Sequence, residues 1–192
     1  MSAAFETGEP RSGPEIRLAL ERLHEMSQSY AASLAPSVFA QPQGEKWSPA
    51  DHLRHLSKSS RALLPGLGMP KLALRLMFGG SRGSSRAFVE VRETYQAGLR
   101  AGATAGRFAP SAKPLPPDPA AWQAEVLSSF RNTASALHDA LAPWPEKALD
   151  RYRLPHPLLG RLTVREMLFF TLYHNAHHMN LVAGRVDGSV SA

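Results

Sequence analysis

Apolar residues recur at helical spacing in four stretches of the chain. In PEIRLALERLHEMSQSYAASLA, residues 14–35, the side chains of Ile16, Leu20, Leu23, Met26, Tyr30 and Leu34 share one side, and Pro14 suits a first turn. In WSPADHLRHLSKSSRALLPGL, Leu53, Leu56, Leu63 and Leu64 define the apolar face of a second helix over residues 49–65. Ser48 is its N-cap, Pro49 its first residue and Asp51 the reciprocal partner of the cap, and Pro65 marks its end. The third helix, residues 119–142, opens at Asp118 and Pro119 and carries Trp122, Val126, Phe130, Leu137 and Leu141 along one side before Pro143 and Pro145. The fourth, residues 163–184, starts at a capping box of Thr163 and Glu166, with Gly184 as its C-terminal stop. With no convincing alternating strand and no internal repeat, this pattern predicts an all-α helix bundle.

Between the second and third helices, residues 66–118 follow no such regular pattern. MPKLALRLMFGG reads as a short amphipathic helix and residues 85–101 as a second one, while the flanks are rich in Gly, Pro and Ser and resemble linkers. A connection this long in a compact domain is usually functional or partly disordered.

Composition narrows the setting. A chain of 192 residues, 43% hydrophobic and 20% charged, is expected to form one domain around one core. Its first fifteen residues carry three acids and no apolar run, and the apolar segments elsewhere fall short of the roughly 20 residues of a membrane span. No membrane partner and a cytoplasmic location are the expectation. The absence of cysteine excludes disulfides, thiolate metal sites and a cysteine nucleophile, so any metal must be held by His, Asp or Glu. A net charge of +6 raises nucleic-acid binding, but Arg82, Arg86, Arg92, Arg100, Arg107 and Lys113 are dispersed and lack interleaved stacking aromatics. A solvated basic surface accounts for them, and nucleic acid is not the expected partner.

The segment YHNAHHMNLV, residues 173–182, holds three histidines in an otherwise apolar run. On the fourth helix, Val164, Met167, Thr171, His174, His178 and Leu181 step by three and four and form a core-facing seam. His174 and His178 lie about 40° apart around the axis and about 6 Å along it, a spacing at which two imidazoles can reach one metal ion. Satisfied core histidines would show the same spacing. The residue after His174 is Asn175, not the Glu that a zincin protease requires. His177 points away from the seam. A third ligand is available on the second helix, where His52 and His55 both flank the apolar face and periodicity does not choose between them. His24, His138 and His156 are isolated in sequence and read as surface or packing residues, as Trp47 and Trp122 read as packing.

Two blocks of the chain resemble the DinB-like family of four-helix bundles with a three-histidine metal site. WSPADHLRHL, residues 47–56, is similar to the family's Trp-Ser block that closes on a His-Leu pair. HPLLGRLTVREMLFFTLYHNAHHMNLVAGR, residues 156–185, is similar to its His-Pro-x-x-Gly-x-Leu-Thr lead-in and the helix that follows with two histidines four apart. The resemblance implies an up-down-down-up bundle with a long crossover between helices two and three, and metal ligands at His55, His174 and His178. It implies a divalent ion, zinc or nickel first, with iron, copper and cobalt also accepted by imidazole. It further implies a hydrolase or a transferase using a low-molecular-weight thiol, acting on a small molecule and often dimeric. The alternative is a metal-binding stress or interaction protein without turnover. Residues 66–118 are longer and richer in Gly and Pro than in a minimal member, so substrate contacts from that segment do not carry over, and no catalytic residue is named.

Overall fold

A computed structural model describes residues 4–42, 44, 46–111 and 115–190. Lys113 lies outside them. The helices begin where the caps place them. Helix α1 (Gly13–Ser33) starts at Ser12, whose hydroxyl accepts from the Glu15 amide while the Glu15 carboxylate accepts from Ser12. Helix α2 (Pro36–Ala40) is a short turn after it. Helix α3 (Pro49–Arg61) carries the same reciprocal cap between Ser48 and Asp51. It ends at Arg61, one turn earlier than the expected limit at Pro65. Proline has no N–H to continue the ladder, and its ring would collide with the carbonyl four residues back, which is that of Arg61. The chain restarts as α4 (Leu64–Gly68) with Pro65 in its first turn. Helices α5 (Lys71–Phe78) and α6 (Phe88–Arg100) occupy the two helical stretches anticipated in the middle segment, followed by a 3-10 turn at Gly106–Phe108. Helix α7 (Pro119–Leu141) is capped by the Asp118 carboxylate, which accepts from the Ala120 and Ala121 amides, and α8 (Glu146–Arg151) follows.

Predominantly helical structure agrees with the sequence, with one local exception. Strands β1 (Arg153–His156) and β2 (Gly160–Thr163) form an antiparallel hairpin where only a connection is expected from the sequence. The turn closes on Gly160 at φ +75°, a conformation that costs a residue with a Cβ. His156 shapes it, its Nδ1 accepting from the amides of Leu158 and Leu159 at 3.2 and 3.0 Å. Helix α9 (Val164–Val190) then begins at the Thr163–Glu166 capping box. Gly184 does not stop it, because the helical backbone continues through residue 190.

Helices α1 and α3 each pack against both α7 and α9, and α6 packs on α9 from another side. This extra neighbour explains why α9 is buried beyond its anticipated seam: Leu168, Phe169, Leu172, Ala176, Met179, Val182 and Ala183 are buried as well as Val164, Met167 and Thr171. An element apolar all round belongs in the interior. In α1 the buried side runs through Ile16, Leu20, Leu23, Ser27 and Ala31, so Met26, assigned to the seam by spacing, lies on the exposed side. One contiguous cluster joins these to Leu53, Leu56, Val126 and Phe130. Close contact also fixes the short elements. A Cβ on Gly66 would stand 2.5 Å from Leu154 Cδ2, so a larger residue in α4 would make the Leu154 side chain of β1 shift.

The start of α9 is tied down by charge. Arg165, 7% exposed, reaches Asp150 Oδ1 at 2.6 Å and Glu146 Oε1 at 2.6 Å, and donates to the Arg11 carbonyl at 2.8 Å. These partners hold its charge on and hold the Asp150 carboxyl below its ordinary range. Glu166, besides its capping bonds, pairs with Arg86 at 3.0 Å, so one of the dispersed middle-segment arginines has a structural partner. Arg165→Ala strands several charge-assisted bonds and is expected to lower the free energy of unfolding by about 2–3 kcal/mol, measurable as a drop in urea midpoint with little change in slope.

Candidate metal centre

Three of the eight histidines converge. His55 from α3 and His174 and His178 from α9 each present a ring nitrogen, and these atoms lie within 4.8 Å of one another in buried surroundings. The α3 side is set by its cap: Ser48 and Asp51 fix the first turn, and the turn that follows carries His52 and His55 on the buried side beside Leu53 and Leu56. On α9 the spacing of four stacks the other two on one face.

Hydrogen bonds orient the rings. A carbonyl can only accept, so His55 Nδ1 donates to the Phe108 carbonyl, 2.8 Å away, and a neutral His55 presents a lone pair at Nε2. That Nε2 lies 3.0 Å from His174 Nε2. Two nitrogens bound about 2.0–2.1 Å from one tetrahedral ion would stand roughly 3.3 Å apart, so the observed separation suits a shared ion after a small relaxation. His178 Nδ1 is 2.8 Å from His52 Nδ1, which leaves its Nε2 for the cluster. Such partners on the far ring nitrogen are what orients metal-binding imidazoles. Trp47 closes one side, stacked on His178 at 5.9 Å and tilted against His55 at 5.0 Å, and Phe170 stacks on His174 at 5.0 Å.

Burial sets the protonation. It is the largest cause pushing His55, His174 and His178 below the ordinary imidazole range, and for the last two the neighbouring histidines add to it. Neutral imidazoles are the form that binds metal ions. The donor set therefore fits a divalent ion.

His55, His174 and His178 line a cavity of about 440 Å³. Its walls are mostly apolar and come in part from the middle segment, including Tyr95, Leu99 and Phe108, with Phe78, Leu158 and Met167. Among the described residues no carboxylate lines it; Arg107, His156, His177 and Tyr95 are its other titratable groups. Burial holds His156 neutral, pushed down to about 4, and Tyr95 protonated, pushed up to about 12. Because His156 Nδ1 accepts two amides, its proton sits on Nε2.

His177 stacks on Tyr173 and lies outside the cluster, as its position off the seam implies. Residues that sequence alone does not assign include His52, here against His178, Trp47, which walls the histidines, and the Phe108 carbonyl. His24 and His138 are not isolated in space. Their rings are 6.0 Å apart, and His24 Nε2 accepts from Asn175 Nδ2 at 3.0 Å, beside the cluster on α9. Trp122 packs on the core as expected.

Taken together, these elements define a predominantly helical protein with a buried three-histidine group able to hold a divalent metal ion at the wall of an internal cavity. The sequence model of the DinB superfamily matches residues 19–182, and the chain belongs to that superfamily. It matches no curated protein and no solved structure.

Proposed function

We propose that His55, His174 and His178 are the three protein ligands of one divalent ion, zinc or nickel in the first instance, and that the protein is a metal-dependent hydrolase or a transferase using a low-molecular-weight thiol. On this reading residues 1–192 form one cytoplasmic domain, with α1, α3, α7 and α9 as an up-down-down-up bundle and the middle segment as its crossover. The observation that carries the proposal is that all three imidazoles open on the 440 Å³ cavity. Structural sites are closed by four protein ligands, whereas three leave positions for water or substrate. A bound ion supplies Lewis acidity, which lowers the pKa of a water or thiol placed in those positions. The chain does the rest. Apolar walls exclude bulk water and take the body of a small molecule, Phe108 and His52 hold the ligand rings in place, and His156 Nε2–H offers a hydrogen bond to an acceptor in the cavity.

A metal-binding protein without turnover is the second reading, favoured by a cavity that among the described residues has no carboxylate to act as general base. Cobalt-substituted protein tests the two. Adding 2-mercaptoethanol should produce a sulfur-to-cobalt charge-transfer band, absent in His174→Ala. Cobalt bound without any spectral response to thiol would remove the transferase branch. In the same samples, chelation should leave the helical circular dichroism in place, since the core cluster does not depend on the ion. Collapse on chelation would make the site structural.

A further inference from the structure

Helix α5 exposes what a surface helix normally hides. Leu74 points inward and is fully buried, but Leu72 and Leu76 on the opposite side and Met77 beside them are 70%, 78% and 57% exposed. The eight residues KLALRLMF contain no polar uncharged residue and no acid, so water meets an apolar arc rather than a polar face. Arginines gather around the C-terminal end of α5. Arg75 is on the helix, Arg82 follows it, Arg161 donates to the Phe78 carbonyl at 3.4 Å, and the Arg151 carbonyl accepts from Ser81. Glu146 and Asp150 of α8 and Glu166 of α9 are engaged by Arg165 and Arg86. Among the described residues none of Arg75, Arg82, Arg151 and Arg161 has an acidic partner.

We propose that α5 is a peripheral docking element for anionic phospholipid surfaces, with Leu72, Leu76 and Met77 entering the headgroup region and the surrounding arginines meeting lipid phosphates. Protruding apolar side chains ringed by cations are the features that hold a short helix at an anionic interface. A second copy is the poorer occupant, because a two-fold contact on this patch would set the same unpaired arginines against one another. No helix among the described residues is long and apolar enough to cross a membrane, and surface contact requires none.

Co-sedimentation of the full chain with vesicles decides it. At about 100 mM salt, where screening sets in beyond about 10 Å, the protein should pellet with vesicles of phosphatidylcholine and phosphatidylglycerol and remain in the supernatant with phosphatidylcholine alone. Arg75→Glu should weaken binding at least about fivefold, the effect of one cation near an anionic surface. The Leu72→Glu/Leu76→Glu double variant, whose substitutions lie on exposed positions, should bind less still with unchanged circular dichroism. Three results would overturn the proposal: no pelleting of the wild type with the anionic vesicles, equal pelleting of the double leucine variant, or conversion by that variant of a wild-type dimer to a monomer.

Discussion

His55→Ala, His174→Ala and His178→Ala are each expected to abolish stoichiometric metal binding, whereas His177→Ala keeps one ion per chain. Each of the first three removes one of only three donors, while His177 stacks on Tyr173 outside the cluster. The supporting residue separates the same way. His52→Ala removes the group beside His178 Nδ1 without removing a donor and should weaken affinity about 10–100-fold. Elemental analysis of each purified variant reads the first result, and competition against a chelator reads the second. Affinity should also fall with pH, but below the ordinary imidazole range, since burial resists protonation of all three rings. A His55→Ala protein that retained one ion would show that α3 supplies no ligand, or a different one.

Metal-free protein is expected to lose stability steeply between about pH 6.5 and 4. Burial pushes His24 and His156 each down to about 4 in the folded chain, whereas an unfolded histidine titrates near 6.5. Within that window the unfolded chain takes up protons that the folded chain refuses, so stability is complete above it and drains away as pH falls. His24 alone accounts for a loss of about 3 kcal/mol by pH 4. Urea unfolding of chelated protein at pH 7.5, 5.5 and 4.5 should show the midpoint falling, and His24→Leu should flatten the fall. A midpoint constant across this range would mean that the buried rings titrate normally.

Much of this fold and site is legible in the sequence. The caps at Ser48, Asp118 and Thr163 are local, so three residues suffice to place a helix start, and the four-residue spacing of His174 and His178 fixes a shared face. Periodicity cannot separate His52 from His55, because both flank the same apolar face and both are buried. What distinguishes them is where α9 lies, with His55 opposite His174 and His52 beside His178. The Phe108 carbonyl escapes a sequence reading for a different reason: a backbone oxygen 53 residues from His55 leaves no side-chain signature. The hairpin hides behind four-residue strands, one containing Pro155, with no clean alternation. Burial of α9 on several sides depends on α6 returning onto it, a long-range contact that no local pattern encodes.

The central claim is that three neutral imidazoles on two helices make one open metal site in a fold that stands without it. Zinc titrated calorimetrically into chelator-stripped protein, with circular dichroism recorded on the same sample, tests this most directly. The account predicts saturation at one ion per chain, no change in helicity, and no saturable binding in the His55→Ala/His174→Ala/His178→Ala variant. One zinc still bound by that triple variant would contradict it.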